Sequence, residues 1–202
     1  RVDEPPVRVG SSISDLGAAL YGVIGILAAL SQARASGKGQ QVDVAMLDCQ
    51  VALLENAIAR FDVTGDIPVP LGSRHPAITP FQFFEAADGY IVVAAGNDNL
   101  WHRLCDTVGL THLAADARFA TNADRTENHK ELEPLLAAAF EVQTVEEWCV
   151  RLGEAGVPCG PIQNIEQVVG DPHLAARQMI VRVPHEVAGE LAMPASPIKF
   201  SA

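Results

Sequence analysis

From Leu16 to Leu30 the chain carries no charge, and Asp15 stands immediately before that run. No other stretch restricts the fold as tightly. A helix that is apolar on every side must be enclosed by protein or by lipid, and this run is shorter than the ~20 residues a bilayer needs. It predicts a buried core helix and no membrane span. Asp15 falls in or beside the first turn, where unpaired backbone N–H groups and the positive end of the helix dipole favour an ionised carboxylate. Two uses fit that place: Ser14 or Asp15 caps the helix, or Asp15 is a nucleophile. Capping leaves Gly17, Gly22 and Gly25 unexplained, because each costs about 1 kcal/mol of helix stability relative to Ala. A second backbone or a ligand is expected close to that face.

With 49% hydrophobic residues the chain can bury a real core. Its net charge of −11, with the 14 basic residues scattered, opposes nucleic acid or an anionic membrane as partner. Cys49, Cys105, Cys149 and Cys159 are widely spaced and contain no Cys-x-x-Cys pair, so neither zinc nor redox chemistry is indicated. Four such thiols fit a reducing cytoplasm. His102 and Cys105 are three apart, but two ligands do not make a metal site. An acidic, Pro-rich lead (Asp3-Glu4-Pro5-Pro6) does not fit a signal peptide. The chain opens without Met, and residues 1–13 read as the end of a connection from an upstream segment.

Gly37 and Gly39 suit a left-handed cap at the end of the first helix. Val42, Val44 and Met46 alternate with polar or small residues and predict a strand over 40–46. Leu47, Val51, Leu54, Ile58 and Phe61 then predict one helix. Helix, strand, helix is the rhythm of an α/β domain. The Pro-rich stretch from Thr64 to Pro80 is either a linker or a functional loop. Within it, Gly72-Ser73-Arg74-His75-Pro76 could touch a ligand, or could be a rigid turn with a solvated Arg and His.

Asp88-Gly89 between Phe81–Glu85 and Tyr90–Ala95 marks a hairpin, and a second, smaller domain is expected from there. A helix follows with Leu100, Trp101, Leu104, Cys105 and Val108 inward. Another covers Asn128 to Phe140, with Pro134 in its first turn or kinking it. Thr144 and Glu147 form a capping box ahead of Trp148 and Leu152. Gly156 to Ile162 reads as an extended crossing. Two short helices (165–169, 172–178), a strand at 179–183 and a closing strand at 194–201, with Ile198 and Phe200 inward, complete the chain.

Several of these patterns, in this order, resemble the family III CoA-transferases, the CaiB/BaiF group that includes formyl-CoA transferase. They are Ser14-Asp15 before a glycine-rich helix, the run Gly37 to Met46, His75-Pro76, Asp88-Gly89-Tyr90, Gly156 to Pro161, Asp171-Pro172-His173 and Pro197 to Ser201. The resemblance implies an α/β fold with part of a Rossmann-like large domain plus a small α+β domain, in a dimer of interlocked rings. Residues 1–46 would be the remainder of the large, CoA-binding domain. Residues 47–80 would form a helix and linker, 81–162 the small domain, and 163–202 the return to the large one. Roughly the first half of the family polypeptide, with the groups that grip CoA, and a short C-terminal tail are implied to lie outside this chain.

The resemblance also implies that Asp15 is the catalytic aspartate and that Met46 lies near the acyl end of CoA. Gly72 and His75 would belong to a mobile loop that shields the reaction from water, at the place where formyl-CoA transferases carry a run of glycines. Coenzyme A would enter as a thioester substrate and no cofactor would be tightly bound; the partners would be an acyl-CoA and a carboxylic acid acceptor. Absence of the glycine run puts a formyl or oxalyl substrate in doubt. The similar α-methylacyl-CoA racemases have a Glu where this chain has Asn97, and Asn cannot exchange a proton with an α-carbon at neutral pH. Transferase is thereby favoured over racemase. A third alternative is a non-catalytic, truncated dimerisation partner.

Overall fold

The computed structural model describes residues 7–201; the acidic lead at 3–6 lies outside them. Two compact units divide the chain, one ending at Gly72 and the other beginning at Ser73.

The first unit is built on helix α1, Ile13–Ser36, which ends on Gly37 in the left-handed conformation (φ 71°) with its N–H bonded to Ala33 O. At 24 residues, α1 is long and apolar enough to cross a membrane by length and composition, so the length limit drawn from the charge-free run does not hold. Nor is α1 buried within this chain. Only Gly17 is enclosed, while Leu20, Ile24 and Leu27 are each more than 60% exposed. The expected close approach is present at two of the three glycines. A Cβ on Gly17 would sit 3.3 Å from Gln50 Nε2, and one on Gly25 would sit 2.9 Å from Val42 Cγ1, whereas Gly22 faces open space. Gly17 and Gly25 are two turns apart on one face, and the chain returning after α1 lies against it.

The strand expected over 40–46 is not formed. Residues 37–45 have no ladder partner among the described residues, and Met46 opens helix α2, Met46–Ala52. Alternation marks a chain that is extended, as Ala45 is (φ −93°, ψ 136°), but a strand also needs a neighbour. The single helix expected next is broken at Leu53 and Leu54, with α3 running Glu55–Thr64 and stopping on left-handed Gly65.

The second unit holds the core. Strands β1 (Phe81–Ala86) and β2 (Gly89–Ala94) form the expected hairpin, paired Phe81↔Ala94 to Ala86↔Gly89, so its two-residue loop is Ala87-Asp88 and Gly89 is already strand. Asp88 Oδ1 instead accepts the N–H of Val145 at 2.8 Å. The stretch read as an extended crossing contributes β3, Cys159–Pro161, on the far side of β2. Phe84, Ala86, Ile91 and Val93 point to one face of this sheet and are buried there.

Against that face pack α4 (Asp98–Val108), α7 (His129–Phe140) and α8 (Val145–Glu154). They supply Trp101, Leu104, Cys105, Leu132, Leu136, Phe140, Trp148 and Leu152. Phe140 stacks on Phe84 at 4.7 Å and meets Trp148 edge-on at 5.2 Å. Trp148 Nε1 donates to Phe140 O, so its polar atom is satisfied inside the core. Pro134 is six residues into α7, beyond the first turn. Short α5 (Thr111–Ala114), a 3-10 turn at Ala117–Phe119 and α6 (Asn122–Glu127) connect α4 to α7. None of those three was predicted.

The capping box at Thr144 and Glu147 is present, with Thr144 Oγ1 accepting from Glu147 N and the Glu147 carboxylate accepting from Thr144 N. Helices α9 (Ile165–Gly170) and α10 (Pro172–Ala176) follow, the second capped by Asp171. Strand β4, Ile180–His185, pairs with β5, Gly189–Pro194. The closing strand therefore precedes the predicted one. Residues 195–201 are not strand, and Ile198 and Phe200 are 66% and 86% exposed instead of inward.

Candidate functional site

Asp15 is the third residue of α1. Ser12 occupies the cap position with its side chain making no cap bond, so neither Ser14 nor Asp15 is the cap. Ile13 N donates to Ser11 O and Leu16 N to Ser12 O, while the N–H groups of Ser14 and Asp15 have no acceptor among the described residues. Two free donors and the positive helix end thus surround an exposed carboxylate. Such a turn can hold an anion or stabilise an oxyanion that forms beside it.

Gln50 on α2 lies across this turn, its Nε2 donating to Ile13 O at 3.5 Å and closing over Gly17. Sequence pattern gave no reason to single it out. Met46 begins α2 with its side chain half exposed. An open cleft lined by Tyr21, Ile24, Val42 and Cys49 lies further along α1 and does not include Asp15. Asp15 and Met46 both belong to the first unit, which Gly72 (φ 66°) closes.

His75 and Asn97 belong to the second unit. His75 N donates to Phe81 O at 2.8 Å, its ring stacks on Phe81 at 5.5 Å, and its Nδ1 accepts from Ala77 N at 3.1 Å. That last bond leaves the ring proton on Nε2. Ser73 Oγ accepts from Phe83 N at 3.4 Å. The segment from Ser73 to Ala77 is thus laid along the free edge of β1 and bonded there.

Asn97 is the N-cap of α4, with Oδ1 accepting from Leu100 N at 2.9 Å. The neighbouring backbone is held by Arg125, whose guanidinium is fully buried. Its Nε donates to Thr79 O, Nη1 to Phe119 O and Ala120 O, and Nη2 to Gly96 O and Asp98 Oδ1, all at 2.8–3.2 Å. It also lies 5.2 Å from the Trp101 ring. Burial pulls this guanidinium below its ordinary pKa while Asp98 opposes the shift. Sequence reasoning missed Arg125, because a single Arg in a polar helix has the signature of a surface cation. Among the described residues no group of three or more His, Cys, Asp or Glu could hold a metal ion.

The described architecture, mixed helix and sheet, is that of the CaiB/BaiF proteins. A crystal structure of a CaiB/BaiF family protein from Brucella suis superimposes with a TM-score of 0.78 at 34% identity, over 99% of this chain and 52% of that one. The family profile of CoA-transferase family III matches residues 1–202, and the chain belongs to that family. Acetyl-CoA:oxalate CoA-transferase of Acetobacter aceti is 38% identical over 98% of this chain and 50% of its own length. Succinyl-CoA–D-citramalate CoA-transferase of Chloroflexus aurantiacus is 38% identical over 95% and 48%. This chain spans about half the length of the curated relatives it matches.

Proposed function

We propose that the longer polypeptide to which these residues correspond is a cytoplasmic CoA-transferase, working as an interlocked homodimer, that moves CoA from an acyl-CoA to a carboxylic acid. The observation that carries this is the place of Asp15 in a family III sequence: an exposed carboxylate in the first turn of α1, beside two unpaired N–H groups.

Asp15 attacks the thioester carbonyl carbon of the donor, the C–S bond breaks, and a mixed anhydride and CoA thiolate result. The thiolate then attacks the aspartyl carbonyl, expelling the donor acid as its carboxylate and leaving aspartyl-CoA thioester. The acceptor carboxylate attacks that thioester to regenerate thiolate and form a second anhydride. Thiolate attack on the acceptor's acyl carbon releases the new acyl-CoA and the free Asp15 carboxylate. The N–H groups of Ser14 and Asp15 are suited to the oxyanions along this path. Met46, Gly72, His75 and Asn97 are proposed to line the substrate site. Asn97 as a helix cap supplies no α-proton base, which favours transfer over racemisation.

The relatives' names include oxalate, D-citramalate and succinyl-CoA, all from acids with two carboxylates. We extend that class to this protein: at least one of its acids is dicarboxylic. The exposed sides of α1 are proposed to be covered by the polypeptide that precedes them in the relatives, and not by lipid. The test is peptide mass spectrometry of the complete polypeptide after incubation with a panel of acyl-CoA thioesters. A CoA adduct is expected on the peptide containing Asp15, and none in Asp15→Asn. An unlabelled Asp15 in folded dimeric enzyme, with every donor tried, overturns the nucleophile.

A further inference from the structure

We propose that the cleft between α9, α10, β4 and residues 195–199 binds a phosphate monoester. The cleft has a volume of about 630 Å³, within the roughly 300–1,000 Å³ of small-molecule sites. It lies wholly within the second unit. Arg182 and Lys199 line it, Val169, Ile180 and Val181 supply an apolar wall, and no Asp or Glu is among its lining residues. That composition runs against the chain as a whole, which has 25 acidic residues for 14 basic ones. A protein of net negative charge attracts an anion only where cations collect locally, and here two do. Among the described residues Arg118 and Arg125 take carboxylate partners, whereas Arg182 and Lys199 take none.

The cleft is held in shape by its own backbone. Gln178 is the one non-glycine residue with a positive φ (51°) among the described residues, a conformation that a side chain disfavours. The turn through it is tied by Gln178 N to Ala175 O and Met179 N to Leu174 O, both at 2.9 Å, and by Ala195 N to Met179 O at 2.8 Å. Gln178 O accepts from Lys199 Nζ at 3.4 Å. The strained residue thus holds the ammonium at the cleft, and strain kept in place by surrounding bonds is a mark of functional sites. Lys199 has two further N–H groups for a ligand, and Arg182 its guanidinium fork. A carboxylate brings one negative charge, which a single cation matches. A phosphate monoester brings about 1.5 to 2 at pH 7, with three acceptor oxygens, and so engages both. Arg as a planar fork and Lys as a point charge are the two usual means of holding phosphate. The apolar wall then takes the organic part of the ester. Coenzyme A itself carries a 3′-phosphate monoester, so CoA and a separate ester are two sources of this chemistry.

The experiment is calorimetric titration of the complete polypeptide with phenyl phosphate and with benzoate, in wild type, Arg182→Gln, Lys199→Gln and Lys130→Gln. All three side chains are exposed, and circular dichroism checks that each variant is folded. Phenyl phosphate is expected to bind the wild type, with its Kd raised about 10-fold or more in each cleft variant, as for one charge-assisted hydrogen bond. Lys130→Gln, on α7 and away from the cleft, is expected to stay within twofold, and benzoate to bind about 10-fold more weakly than phenyl phosphate or worse. Repeating the titration with saturating CoA or dephospho-CoA names the source. Competition by CoA alone assigns the cleft to the 3′-phosphate of CoA, and competition by neither assigns it to a separate ester; the site stands in both cases. No saturable binding to the wild type overturns the proposal. So does a Kd unchanged within twofold in both cleft variants, or one raised equally by Lys130→Gln.

Discussion

Asp98 Oδ1 accepts a hydrogen bond from Arg125 Nη2 at 3.1 Å across a sharp difference in burial, the guanidinium being fully enclosed and the carboxylate 57% exposed. The two partners are therefore not equivalent. Asp98 can turn to water if the bond is lost, but Arg125 also satisfies the carbonyls of Thr79, Gly96, Phe119 and Ala120.

Removing Arg125 takes the donor from two buried carbonyls, those of Thr79 and Phe119, and from two part-buried ones, those of Gly96 and Ala120, whereas removing Asp98 strands none. Arg125→Met is expected to destabilise the second unit by about 2–6 kcal/mol, at about 1–3 kcal/mol for each of the two buried carbonyls left without a donor, and Asp98→Asn by about 1 kcal/mol or less. Urea denaturation followed by Trp fluorescence, which reports Trp101 beside the guanidinium, checks both. Equal losses for the two variants would show that the ion pair, and not the carbonyl bonds, is what Arg125 contributes.

Gly96 accepts one of those bonds and has no room for a side chain. A Cβ there would overlap the Ile78 side chain, although its φ lies outside the left-handed region. Gly96→Ala is expected to cost about 1–3 kcal/mol through overpacking. Gly153, within α8, faces open space, so Gly153→Ala is expected to gain up to about 1 kcal/mol in helix propensity. Thermal melts of the two variants should move in opposite directions.

What was legible in the sequence was local. The Thr144–Glu147 capping box and the hairpin at Asp88 depend on residues within a few positions of each other, and both formed. Leu53 and Leu54 carry no Gly or Pro to announce the break between α2 and α3. The 40–46 segment shows that alternation specifies an extended chain but not its neighbour. The candidate site divides in the same way. Asp15 and Asn97 could be placed at helix starts from sequence, whereas Gln50 over the first turn of α1 and Arg125 beneath the Asn97 loop depend on tertiary contacts.

Helix α1 gives a third prediction. Its glycine face is closed by Gln50, Leu53 and Val42, while the rest of its apolar surface is exposed in this chain. Residues 1–202 produced alone are expected to bind anilinonaphthalene sulfonate strongly and to self-associate in gel filtration, as contiguous apolar surface does. The complete polypeptide is expected to do neither and to stay in the aqueous phase on detergent partition. Partition of the complete polypeptide into detergent would make α1 a membrane helix instead.

The last prediction concerns Cys105, fully enclosed between α4 and the core, where burial and then the nearby Asp106 carboxylate push its thiol pKa up to about 12 from 9.0. The neutral thiol is the form that the fold favours. Below pH 9 both folded and unfolded chains hold the proton, so the group adds no pH dependence. Between pH 9 and about 12 the unfolded chain releases a proton that the folded chain keeps, and stability falls as pH rises, by up to about 1.4 kcal/mol per pH unit from this group. Cys105→Ala leaves a small cavity and lowers stability at pH 8, but it removes this slope. Urea midpoints at pH 8, 9, 10 and 11 should therefore converge for the two proteins as pH rises. Parallel lines would mean that Cys105 ionises as readily in the fold as out of it.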